Sequence, residues 1–153
     1  MASCTIYSAD LEGMWSISFD EIAENALNDA IPILENTMRS AASASVKHPG
    51  ESDMVNSIKG SKPKKSASTD CWIVNVGPRG YSDHKYYAQD KRGRKTYRKY
   101  KVSNALKAIW KEYGIPGHQD AQPFMQKATN AAQSRIEKII EDAFNKEIEG
   151  YEL

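Results

Sequence analysis

The sequence predicts an α+β fold in which two long helices pack on a small, mainly antiparallel sheet, with a long basic loop or hairpin as the outlying element. Three observations lead there. Apolar residues recur at three-four spacing toward both ends of the chain, over residues 19 to 47 and 123 to 149. Between them lies Cys71-Trp72-Ile73-Val74-Asn75-Val76-Gly77, dense in β-branched and aromatic side chains. From Arg79 to Lys101 the character changes again: nine Lys and Arg stand against two acids, net +7, with Tyr81, Tyr86, Tyr87, Tyr97 and Tyr100 interleaved.

The first helix is predicted to begin at Ser18, because Glu21 three residues on completes a capping box. Ile22, Ala23, Ala26, Leu27, Ala30, Ile31, Leu34, Met38, Ala41, Ala42 and Val46 recur at the spacing of one buried face, and the helix is expected to reach about residue 47 before His48-Pro49-Gly50 ends it. Pro32 inside this run removes an amide donor and predicts a kink or local break. Residues 54 to 59 read as a short strand, and the Lys, Ser and Pro-rich residues 60 to 69 as a mobile loop. The run from Cys71 to Gly77 is expected to be a central strand, with Cys71 a small core residue. Residues 79 to 101 read as a flexible connection, and Gly93 near its middle suggests a hairpin tip. Val102, Leu106, Ile109, Trp110 and Tyr113 keep helical spacing up to Gly114, leaving a short helix or a strand open there. The last helix is predicted from Pro123, with Phe124, Ala128, Ala131, Ala132, Ile136, Ile139, Ile140, Ala143, Phe144 and Ile148 on its apolar stripe.

A chain of 153 residues accommodates one domain, here 1–153 with its core at about 19–149. Its 40% hydrophobic and 27% charged residues are those of a folded globular protein, and no apolar run approaches bilayer-spanning length. The first residues show no basic start followed by an apolar stretch, so a secretory signal is not expected. The overall charge of +1 conceals a bipolar layout, because everything outside residues 79 to 101 sums to −6. A subunit of that kind favours head-to-tail contact with copies of itself.

Catalytic or metal chemistry is not expected. Cys4 and Cys71 form no CxxC pair, and His48, His84 and His118 are scattered in polar or Gly/Pro contexts. No Gly-rich phosphate cradle or nucleophile elbow is present, and no cofactor is called for. Trp15, Trp72 and Trp110 read as core or interface anchors.

Glu112-Tyr113-Gly114, followed by Pro123-Phe124-Met125-Gln126-Lys127-Ala128, resembles the gene-product-ten-like minor tail proteins of lambdoid siphophages. That family's signature is an acid, an aromatic, Gly and often Thr, then a Pro-Phe step entering the last helix; Ile115 stands here in place of the Thr. Upstream, Ser57-Ile58 matches the end of the family's Thr-Gly-x-Leu-x-x-Ser-Ile stretch, while its Thr-Gly beginning is absent. The resemblance spans roughly residues 19 to 148. It implies an α+β subunit that assembles with itself into a ring, expected to be hexameric, and completes the phage tail for joining to the head. The tail terminator and the head-tail stopper would be its neighbours, and the virion its destination after assembly in the host cytoplasm. For Ser57, Ile58, Glu112, Tyr113, Gly114, Pro123, Phe124 and Ala128 the expected role is fold maintenance.

The rival reading is a small nucleic-acid-binding module. Arg92, Arg94, Lys95, Arg98 and Lys99, with Tyr97 among them, supply phosphate-binding cations and a stackable aromatic at close spacing. They lie on no recognisable DNA-binding motif, so a solvated hairpin or one docked on an acidic neighbour competes. In a ring with DNA in its lumen the two readings merge as non-specific backbone contact.

Overall fold

The computed structural model describes residues 18–46, 52–69, 71–89 and 91–149, with the side chains at 84–88, 97 and 98 outside that description. Two long helices dominate, α1 (Phe19–Ser45) and α4 (Phe124–Glu149), and they form the largest packing contact in the molecule. Between them in sequence come α2 (Ser52–Asn56), β1 (Ile58–Gly60), β2 (Lys64–Lys65), β3 (Trp72–Ile73), β4 (Val76–Pro78), β5 (Tyr81–Gln89), β6 (Lys95–Ser103) and α3 (Asn104–Tyr113). The fold is α+β, as its periodicities predict.

Helix α1 starts where Ser18 satisfies the first free amides: its Oγ accepts from the Glu21 amide at 3.4 Å, and its carbonyl accepts from Glu21 and Ile22. Asp20 and Glu21 in the first turn suit the positive end of the helix dipole. Ile22, Ala26, Ala30, Met38 and Ala42 are buried along one face, and Ala128 and Ala132 are buried on α4. Small residues on both sides let the two backbones approach. Pro32 is exposed and α1 runs through it without a break, which corrects the alternative of an interrupted helix. The expected stop at His48-Pro49-Gly50 lies outside the described residues.

The centre of the chain differs most from expectation. Residues 54 to 59 are not one strand: α2 buries the consecutive Met54 and Val55, which an alternating strand would send to opposite faces. Ser57 then closes the turn, its hydroxyl donating to the Met54 carbonyl at 2.7 Å, before β1 begins at the fully buried Ile58. Residues 60 to 69 contain structure as well, since β2 pairs antiparallel with β3 and Pro63 is buried.

The run from Cys71 to Gly77 is not a central strand but two short pieces that pair elsewhere. β3 takes β2, and β4 takes β1 with Ile58 opposite Pro78 and Gly60 opposite Val76. Asn75 separates them, exchanging hydrogen bonds with Ser61 instead of continuing a ladder. Among the described residues the sheet therefore splits into three two-stranded units, Ile73 is 44% exposed, and Cys71 is exposed instead of in the core. The third unit is β5 with β6, so residues 79 to 101 form a hairpin, and its tip contains Gly93 at φ +74°.

The core gathers Met38 and Ala42 of α1, Met54 and Val55 of α2, Ile58, Ala108 of α3, and Phe124 and Ala128 of α4. β1 is held against α1 closely enough that a Cβ on Gly60 would lie 2.5 Å from Ile31 Cγ2. Glu35 accepts from the Gly60 amide at 2.5 Å and from Arg39 at 3.0 Å, and Arg39 donates to the Ile58 carbonyl at 2.6 Å. The i,i+4 pair on α1 thus serves as the partner that β1 lacks on that side. Among the described residues, no helix is long and apolar enough to cross a membrane.

Candidate assembly surface

Two constellations were singled out by sequence, and the structure places them differently. The first is the corner where α3 hands over to α4. Phe124 is 1% exposed and sits in the core with Ala128. Gly114 follows α3 at φ +77°, where a Cβ would lie 2.7 Å from the Gln119 carbonyl oxygen and 2.8 Å from the Ala121 amide nitrogen. Only glycine satisfies both the conformation and the space. The loop then folds on itself through Ile115 and Gln119, and the Gln122 amide donates to the Lys111 carbonyl at 2.7 Å.

Glu112, buried in this corner, accepts from the Met125 amide at 2.8 Å and the Gln126 amide at 3.1 Å. Those are free donors of the first turn of α4, so a carboxylate from α3 caps a helix that begins twelve residues later in the chain. Pro123 stands just before α4, its carbonyl accepting from the Lys127 amide, and needs no donor of its own. Tyr113, by contrast, is 76% exposed and carries none of this packing. Ser57 and Ile58 lie across the core: the Ser57 carbonyl accepts from the Arg79 amide at 3.1 Å, joining β1 to the start of the basic segment.

The second constellation is the β5/β6 hairpin. Its base is clamped to α3 by Asn104, buried, whose amide group donates to the Arg79 carbonyl at 2.8 Å and whose Oδ1 accepts from Ser82. Lys107 adds bonds from Nζ to Ser82 Oγ at 2.6 Å and to the Asp83 carbonyl at 3.0 Å. Val102 of β6 is buried. From this base the two nine-residue strands extend, roughly 30 Å over their whole length at about 3.4 Å per residue. Sequence reasoning missed Asn104 and Lys107, since nothing in a polar residue at a helix start announces a partner more than twenty positions away.

The register sets Asp83 opposite Lys101, Lys85 opposite Lys99, Tyr87 opposite Tyr97 and Gln89 opposite Lys95, all at positions sharing one face of the ribbon. The other face takes Ser82 opposite Val102, His84 opposite Tyr100, Tyr86 opposite Arg98 and Ala88 opposite Thr96. Four lysine positions thus share a face with a single acid. Asp83 pairs with Lys99 at 2.5 Å, and that hydrogen bond holds its carboxyl below the usual carboxylate range, helped by the charges of Lys99, Lys101 and Lys107. Arg92 and Arg94 sit in the exposed tip, Lys95 is exposed at the start of β6, and Tyr81 is 74% exposed at the base.

Comparison of the chain with protein-family models, with curated proteins and with solved structures found no match.

Proposed function

We propose that this chain is a structural virion protein of a tailed phage, a ring-forming tail-completion or head-tail joining subunit that acts by docking and not by catalysis. The observation that carries the reading is the β5/β6 ribbon: it reaches roughly 30 Å, is fastened to the body at its base, and belongs to a segment of net charge +7. A two-stranded ribbon alone is marginal in water, so such an arm is suited to being completed by a neighbouring subunit. The motif residues add support, because Glu112, Gly114 and Phe124 each do a definable job in one corner, as a fold-maintaining signature requires. The tail terminator and the head-tail stopper are the neighbours this reading implies, with DNA in the lumen as a non-specific contact.

The shared lysine face of the ribbon favours a second reading, a nucleic-acid-binding module, because a two-stranded ribbon of this width fits the major groove and its cations match the phosphates. Complementation of a phage lacking the gene separates the two. The virion reading expects heads and tails that stay apart without the chain and join when it is restored, with the chain present in purified particles. Normal particles in its absence, together with salt-sensitive binding of the pure protein to duplex DNA, would replace it by the module.

A further inference from the structure

The body carries a surface complementary to the hairpin. The first three turns of α1 lie along the last turns of α4, with Phe19 and Phe144 stacked at 6.3 Å between ring centroids. Over residues 19–30 and 136–149 the two helices bring together nine acids, Asp20, Glu21, Glu24, Asp29, Glu137, Glu141, Asp142, Glu147 and Glu149, against only Lys138 and Lys146. Asp20 is engaged by Lys65 of β2, and the other eight are exposed. Chain order hides this cluster, since its members come from segments more than a hundred residues apart.

The two helices leave a groove here. Its floor is apolar, with Ile22, Ala26, Ile139 and Ala143, and Asp29, Asp142 and Glu147 line it together with one cation, Lys146. Phe19 and Ile148 stand exposed at the same end of the helix pair, 57% and 46% accessible. An apolar floor with an acidic rim takes a ligand that is aromatic and cationic together, and the ribbon of this same chain has that composition: Tyr81 and Tyr100 exposed, with exposed Lys91, Lys95 and Lys101. The groove runs about 10–12 Å along each helix, so it receives part of the roughly 30 Å ribbon.

We infer that the hairpin of one copy docks in the acidic groove between α1 and α4 of a second copy, a heterologous head-to-tail contact. The inference rests on the assembly reading above and gives it a partner surface. Because donor and acceptor surfaces differ, the contact propagates, and it closes into a ring when the rotation per subunit allows.

Sedimentation velocity on the full chain tests this with two charge-reversed variants, K91E/K95E/K101E on the ribbon and E141K/D142K/E147K on the groove, each checked for native circular dichroism. Wild type is expected to self-associate at about 50 mM salt and to dissociate as screening shortens at about 500 mM. Each variant alone is expected to associate at least about tenfold more weakly. Their equimolar mixture restores association, because every contact between unlike copies again joins opposite charges. Variants that associate like wild type, a mixture that stays dissociated, or a wild type that remains monomeric while its ribbon lysines bind duplex DNA would each overturn the inference. Failure of the virion reading looks different: the reversal and rescue hold, yet the chain is absent from phage particles. The opposite pattern, a chain in the phage neck whose variants assemble unchanged, removes the groove and leaves the virion reading standing.

Discussion

The α3–α4 corner and the β5/β6 hairpin are both motif-bearing, and they use their residues in opposite ways. In the corner the motif residues bond and pack inside the molecule: Glu112 holds two helix amides, the Gln122 amide meets the Lys111 carbonyl, and Phe124 fills the core. In the hairpin the bonds to the body lie at the base, where Asn104 and Lys107 clamp Arg79, Ser82 and Asp83, and the strands beyond it pair with each other and carry their exposed charge away from the core. The difference teaches that a short sequence signature and a conspicuous charge run mark different things. The signature locates what holds the fold; the charge run locates what the fold holds out.

That contrast breaks first at Phe124. Phe124→Ala is expected to destabilise the fold by roughly 3–5 kcal/mol, since it removes a buried aromatic and leaves a cavity among Met38, Met54 and Ala108. Thermal melting checks it, and an unchanged midpoint would take the corner out of the core. Next in size, Gly114→Ala forces a Cβ into a left-handed conformation against the Gln119 carbonyl, an expected loss of about 2 kcal/mol in urea unfolding. Glu112→Ala leaves the Met125 and Gln126 amides without their cap and is expected to cost about 1–2 kcal/mol, with Glu112→Gln recovering part of it. Rapid amide exchange confined to the first turn of α4 would identify the cause.

In the hairpin, the same measurements should register little. Replacing Arg92, Arg94, Lys95, Arg98 and Lys99 together with Ser is expected to shift stability by no more than about 1 kcal/mol, because all five belong to the basic ribbon and Arg92, Arg94, Lys95 and Lys99 are exposed. Phage complementation should fail with that variant, and recovery of normal infectivity would reduce the ribbon to a solvated surface. The smallest expected effect is at Asp20, whose carboxyl is held below the usual carboxylate range by its hydrogen bond from Lys65 and then by that from Trp72. A lowered folded-state value means that the contribution is present above the unfolded carboxylate pKa and is lost as pH falls through the folded one. The Trp72 indole N–H resonance should therefore move on acidification below the ordinary Asp range, and Asp20→Asn should abolish that step.

Much of the architecture was legible from local pattern. The three-four spacing placed both long helices to within a few residues, Ser18 marked the start of α1, Gly93 marked a hairpin tip, and the Pro-Phe step marked the entry to α4. These are local because a cap, a turn or an amphipathic face depends on residues three or four apart. The strands were read less well. Trp72 to Val76 carries strong β character, yet its pairing is settled by Asn75 bonding to Ser61, and β propensity states no partner.

The sequence by itself determined the two long helices with the apolar faces they bury and the place of the basic loop or hairpin, because burial period and turn chemistry are written within single segments. Tertiary structure alone decided that the sheet splits into three two-stranded units, that Glu112 caps α4, and that acids from both ends of the chain meet in one groove. Each of those depends on groups distant in sequence becoming neighbours, and that is settled only when the helices pack.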